Sequence, residues 1–223
     1  IEAIAVNTGG GLTGGDRFDL SASVGAGATL SITTQAAERA YRAQPGETAE
    51  FATTLRVSHG GTLHWLPQEL ILFQNAALRR RLDINLDPDA KLFMVEPLVF
   101  GRTAMGETLS SAAFRDRIRI TRAGMPIYAD GLNLSGDVHS LMSHSATGNG
   151  AAAMVSLVLV APDAARHLDP IRALLPISGG ASMLAPDVLT MRLLASDSYN
   201  LRRNLVPILD RLTDNRLPLS WRL

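Results

Sequence analysis

The chain has no cysteine, so no disulfide framework holds it together. A reducing compartment is compatible with that, and the cytoplasm is the expected location. Any metal would rest on His, Asp, Glu or main-chain oxygen. Neither sign of charge is in excess: 21 basic residues face 21 acidic ones. That balance argues against nucleic acid as a partner, because phosphate neutralisation needs surplus Lys and Arg. Lysine is almost missing, Lys91 being the single one; no functional consequence follows. Aromatic residues make up only 5% of the chain, few for the stacking platforms of a sugar site. No secretory leader is visible or expected, and the longest apolar stretch, 151 to 161, is about half of what a membrane-spanning helix needs. No membrane association is expected.

What is present is ordinary for a globular protein: 223 residues, 46% of them apolar, enough for one large domain with a sizeable core. The chain is therefore read as a single domain over 1–223. Its opening, IEAIAVN, already reads as the middle of a strand, so a preceding piece is expected to be missing.

The first half carries an internal repeat, FDLSASVGAGATLSIT, FATTLRVSHGGTLHWL and LDINLDPDAKLFMV. Each copy alternates apolar and polar residues, turns, and alternates again. The spacing is constant, from Val24 to Leu30, Val57 to Leu63 and Leu86 to Leu92, across turns GAGA, SHGG and DPDA. RIRITRAGMPIYADGLNL is a looser fourth copy. Units repeated about every 30 residues predict stacked strand–turn–strand layers, each burying the apolar face of its neighbour. The last third changes period. PDAARHLDPIRALLP predicts a short helix with Pro162 near its first turn, and residues 181 to 195 read as strands around APD. DSYNLRRNLVPILDRLT predicts a second helix with Leu201, Leu205, Ile208, Leu209 and Leu212 on one face, kinked at Pro207. The expected fold is mainly β, with two helices toward the C-terminus and a flexible loop at 142 to 153.

The segment GGGLTGGDRF, residues 9 to 18, satisfies G-x-G-x-x-G at Gly9, Gly11 and Gly14. A dinucleotide fingerprint needs a helix to start inside the glycines, so that its N-terminus faces the pyrophosphate. Here Phe18, Leu20, Ala22 and Val24 follow in strict alternation, which is a strand. The segment has no Gly-Lys-Ser/Thr, and its aspartate would repel phosphate. It reads as a sharp turn that leaves Asp16 unexplained.

Four carboxylates share the parity of apolar stripes. Asp16 goes with Phe18 to Val24, Glu69 with Trp65 and Ile71, Glu96 with Leu92 and Met94, and Asp130 with Tyr128 and Leu132. Inward carboxylates are costly unless paired. One reading pairs each with an arginine, with Arg42, Arg102 and Arg117 as candidates. The other makes them an acid-lined interior, or a route for a cation held only by oxygen and hence modestly. The run Arg79-Arg80-Arg81 reads as a solvated face. His59, His64, His139 and His144 form no ordered set with Ser31, Ser110 or Ser140, and no nucleophile motif surrounds those serines. Paired carboxylates on a stacked β fold leave a glycoside hydrolase as the rival reading, against which the scarcity of aromatics counts.

NTGGGLTGGDRF, ITTQAAERAYRA, LHWLPQELILFQNA, EPLVFGRTAMGE, GMPIYADGL, LRRNLVPILDRL and RLPLSWRL succeed one another in order. Together they closely resemble the urease accessory protein UreD family, called UreH in some bacteria, over essentially the whole chain. The resemblance implies a mainly β stacked fold with two helices and no enzymatic activity. It implies binding to apo-urease and recruitment of UreF, which holds the GTPase UreG. The assembly delivers nickel to the urease active site, nickel being in transit and no cofactor tightly bound; an internal tunnel is proposed as its route. The family's acidic positions fall on Asp16 after the paired glycines, Glu96 before Gly-Arg, and Asp130 after the G-x-P turn. Glu69 stands in LPQE, where the family carries Asp or Glu. These four are the expected nickel path. The exposed face of the C-terminal helix, Arg202, Arg203, Asp210 and Arg211, is the expected contact for UreF. Family members begin with an N-terminal strand region before NTGGGLTGGD, which is absent here.

Overall fold

A computed structural model describes residues 1–102 and 105–222. Two sheets lie face to face, and the repeat generates both. β2 (Arg17–Val24), β5 (Ala49–Val57) and β8 (Ala77–Leu86) stack in parallel in one sheet. Each passes through its four-residue turn to β3 (Thr29–Thr34), β6 (Thr62–Leu66) or β9 (Lys91–Phe100), which stack in parallel in the other. The expected spacing is the register itself: Val24 pairs with Val57 and Val57 with Leu86, while Leu30 pairs with Leu63 and Leu63 with Leu92. One coil cannot cover its own apolar side, so the coils stack.

The fourth copy departs from this pattern. β10 (Ala112–Arg122) continues the first sheet beside β8. The chain then turns on Ala123 and Gly124, at φ 48° and 80°, and β11 (Met125–Gly136) returns antiparallel in the same sheet. Two successive positive φ values make a tight hairpin, not a crossover. The first sheet thus runs β11-β10-β8-β5-β2.

The second sheet runs on from β9 through β12 (Ala153–Val160) and β14 (Val188–Ala195) to β13 (Gly179–Ala185), all antiparallel, and begins with β1 (Glu2–Ala5) alongside β3. Two short strands, β4 (Glu38–Ala40) and β7 (Leu70–Leu72), attach to it through β9. β12 is buried at every position, and β9 at all but Lys91, because both their faces are covered. One face meets the first sheet, where Leu92, Met94 and Val158 pack with Leu55 and Ile84. The other meets a helix, where Val95, Val155 and Leu157 pack with Leu201, Leu205, Ile208 and Leu209.

Three α-helices occur among the described residues, one more than expected. α1 (Val138–Ser143) is a short addition capped by Asp137, whose carboxylate accepts from the Ser140 N–H. The two C-terminal helices are where the sequence put them: a 3-10 turn at Ala164–His167 runs into α2 (Leu168–Leu174), and α3 (Ser198–Leu212) contains Pro207. The Asp197 side chain caps α3 at the Asn200 N–H.

Glycines 9 to 15 form turns leading to β2, not a helix N-terminus. Gly11 passes so close to its neighbour that a Cβ there would lie 2.3 Å from Tyr41 Cε2 and 2.7 Å from the Arg39 carbonyl oxygen.

Candidate functional site

β-strand parity carries several charges into the space between the sheets. Glu96 sits on the inward face of β9, Arg80 on that of β8 and Asp116 on that of β10. Arg80 and Asp116 are register neighbours, and Arg80 reaches across the sandwich to Glu96. The guanidinium donates to Asp116 from Nε at 2.9 Å and from Nη2 at 2.5 Å, and to Glu96 from Nη1 at 2.5 Å. Trp65 Nε1 donates to the other Glu96 oxygen at 2.5 Å. Both carboxylates are buried, at 4% exposure for Glu96 and 6% for Asp116, and the Arg80 side chain is 11% exposed. Burial holds Glu96 above the ordinary carboxylate range; Arg80 pulls it down and Asp116 pushes it up again. Burial also works against the charge on Arg80, but the two carboxylates outweigh it and the guanidinium is held firmly protonated.

A second group lies alongside. Glu96 is opposite Ser156 on β12, and Ser156 is opposite Arg192 on β14. Arg192 is ion-paired with Asp130, whose carboxylate also accepts from Tyr128 Oη at 3.2 Å and Ser156 Oγ at 3.3 Å. Burial, followed by the Asp130 charge, pushes the Tyr128 hydroxyl up to about 12, so it stays a donor at neutral pH.

A cavity of about 460 Å³ opens between the sheets, lined by β1, β2, β3, β5 and the Thr34–Arg39 segment, with Arg80 and Glu96 among its lining residues. A much smaller one is lined by Arg80, Glu96, Asp116, Asp130, Ser156 and Arg192. The Arg80–Glu96 pair lines both and is the partition between them.

The four expected acids therefore divide. Glu96 and Asp130 both line the smaller cavity. Glu69 is buried but elsewhere: it takes Arg202 Nη1 at 3.1 Å, in a knot where Arg202 also donates to Gln68 Oε1 at 2.7 Å and to the Trp221 carbonyl at 2.8 Å. Asp16 lines neither cavity; its carboxylate accepts from the Thr13 N–H at 2.7 Å and closes the glycine turn. The stripe parity fails for Asp16 because β2 begins only at Arg17. Among the described residues, no three His, Asp or Glu side chains gather as a metal-holding group.

The arginine partners are not those expected. Arg102 pairs with Glu107, and Arg42 and Arg117 are exposed. Arg80, Arg192 and Arg202 do the pairing. The run Arg79-Arg80-Arg81 is a solvated face only at its ends, where the side chains of Arg79 and Arg81 are mostly exposed. The expected UreF face also divides. Arg202 is tied to Glu69, and Asp210 to Arg222 at 2.5 Å. Arg203 and Arg211 are exposed and, among the described residues, make no ion pair. Ser31 Oγ meets His64 Nδ1 at 3.2 Å across β3 and β6. That ring lies edge-on to Phe93, and burial, with Arg216 adding to it, lowers its basicity; among the described residues no carboxylate pairs with it.

Asp116, Arg80 and Arg192 are missing from the charged site residues that the sequence singles out. A signal existed for two of them: Asp116 shares parity with Phe114 and Ile118, and Arg80 with Leu78 and Leu82.

Fold and site together define a coiled, mainly β protein with a charged seam between its sheets and no assembled Ser-His-acid set among its described residues. A family model described as UreD urease accessory protein matches residues 1–222. The urease accessory protein UreD of Roseobacter denitrificans is 54% identical over 223 residues, all of this chain and 82% of that protein. The namesake in Ruegeria pomeroyi is 50% identical over 221 residues, covering 99% of this chain and 86% of its own length. In Rhizobium leguminosarum bv. viciae the corresponding figures are 42% over 224 residues, 100% and 82%. The chain belongs to the UreD family of urease accessory proteins.

Proposed function

We propose that this chain acts in urease maturation as a non-catalytic cytoplasmic scaffold. It binds apo-urease, recruits UreF and through it the GTPase UreG, and assists delivery of nickel to the urease active site. The observation that carries the delivery step is the row of carboxylates, buried Glu96 and Asp116 and half-buried Asp130, set around two cavities that share one wall. Carboxylate oxygens bind a divalent ion modestly, which suits a cargo that must leave again. Every acid in the row is balanced by Arg80 or Arg192, so a cation passing along it takes over carboxylate contacts that the arginines hold at rest. Asp16 and Glu69 lie off this row and support the turn and the C-terminal knot instead. Arg203 and Arg211 are the part of the α3 face left open to a partner.

The hydrolase reading gains nothing from the geometry. Its candidate pair, Glu96 and Asp116, is buried and committed to one guanidinium.

The test is co-expression with UreF, UreG and apo-urease, followed by size-exclusion chromatography and measurement of nickel in the urease. Glu96→Gln and Asp130→Asn are expected to keep the complex and lower urease nickel several-fold. Full nickel content in both variants sinks the delivery route, and a chain that elutes alone sinks the scaffold.

A further inference from the structure

The alternation that sends Arg80 inward also sends a set of arginines outward. Arg115, Arg117 and Arg119 follow one another on the outer side of β10, and all three are exposed. On β8, Arg79 stands directly opposite Arg115 and Arg81 directly opposite Arg117, while Asp83 stands opposite Arg119. The other flank offers no charge: Asn133, Gly131 and Ala129 of β11 are opposite the same three arginines. These nine neighbouring outward positions hold five arginines and one acid. The chain as a whole is neutral, so the charge is concentrated here.

The fold makes no use of that concentration. Arg79 turns to Glu50 on β5 at 3.1 Å, and Arg81 to Asp83 on its own strand at 3.0 Å. Arg115, Arg117 and Arg119 make no ion pair among the described residues. Like charges directly opposite one another weaken a sheet. No element covers them either, since α3 packs against the second sheet, on the other side of the sandwich.

We infer that the outer face of β8, β10 and β11 is a docking surface for an acidic face of another protein, whose carboxylates meet Arg115, Arg117 and Arg119. A guanidinium takes a carboxylate through two parallel hydrogen bonds, which a lysine cannot do. Outward residues recur along β10 about every 6.7 Å. Acids at alternate positions of an extended segment, or one turn apart on a helix at about 6 Å, match that spacing. Other polyanions fit less well. The nine positions carry no aromatic ring on which a nucleotide base could stack, and Glu50 and Asp83 at the border repel a phosphate chain. Their apolar residue is a single alanine, so nothing enters a bilayer. The surface is separate from Arg203 and Arg211 on α3.

Fluorescence anisotropy tests this with a labelled peptide that alternates glutamate and serine over about nine residues, long enough when extended to span the three arginines. The native chain is expected to bind it, and several-fold more weakly when salt rises from about 0.05 to 0.3 M. Arg115→Glu/Arg117→Glu is expected to weaken binding about tenfold or more. Arg42→Glu/Arg56→Glu, an equal change of charge at exposed arginines outside the field, should stay within about twofold. The first variant should also melt no lower than the native chain, because each new glutamate faces an arginine of β8. No binding by the native chain, or equal binding by the two variants, overturns the inference. So does tighter binding of a short duplex DNA than of the peptide, which would make the partner a nucleic acid. A lower melting temperature in the first variant overturns it as well, because the arginines would then serve the fold.

Discussion

Replacing Arg80 by methionine keeps most of the side-chain volume and deletes the charge that Glu96 and Asp116 share. Both carboxylates are more than nine-tenths buried, and Asp116 loses two hydrogen bonds and Glu96 one. Breaking a buried ion pair from one side costs about 3–5 kcal/mol, because the remaining charge is stranded. In a chain of this size that lowers the melting temperature by roughly 6–20 °C. The loss must also depend on pH. Stranded acids have folded-state pKa values raised well above their unfolded values near 4. Their penalty is full above the raised pKa and vanishes as pH falls toward the unfolded value. Glu96 is already raised in the native protein, so the variant exaggerates a trend that is present. Denaturant unfolding followed by circular dichroism at pH 8 and pH 5 is the assay. Arg80→Met should be much weaker than the native protein at pH 8 and closer to it at pH 5. The neutral triple variant Arg80→Met/Glu96→Gln/Asp116→Asn should recover most of the loss at pH 8. A single variant within about 0.5 kcal/mol of the native protein at pH 8, or a deficit equal at the two pH values, would refute the stranded-charge argument.

Trp65→Phe removes the donor to Glu96 Oε1 and should cost about 1–3 kcal/mol, read as a shifted urea midpoint with an unchanged m-value. Arg202→Ala cuts the knot joining Gln68, Glu69 and Trp221 and should cost about 2–4 kcal/mol of stability, read as a lower urea midpoint. Arg203→Glu, one residue on but exposed, should stay within about 0.5 kcal/mol and weaken co-elution with UreF; normal co-elution would remove this face from the interface. Gly11→Ala drives a Cβ into the Tyr41 ring and a main-chain oxygen and should cost about 1–3 kcal/mol, whereas a tolerated alanine would show that the loop can move aside.

The coil register was legible because it depends on neighbours in sequence: apolar alternation, a four-residue turn, and alternation again. The fourth copy misled because its turn is shorter by two residues. That difference decides whether a strand crosses to the other sheet or folds back beside itself. The charged seam was half legible for a related reason. Parity told which way Glu96 and Asp130 point, because each lies inside a regular strand. It failed at Asp16, which precedes the first residue of β2. It could not name partners, since Arg80 meets Glu96 and Asp116 from 16 and 36 residues away. Yet Arg80 obeys the same rule as the acids. In a strand, three consecutive arginines cannot share a face, so the middle one must point opposite to its neighbours, onto the stripe of Leu78 and Leu82. Inward carboxylates require inward cations to be tolerable. Applied to the chain's basic residues as well as its acids, the alternation that reveals Glu96 and Asp116 also reveals the arginine that holds them.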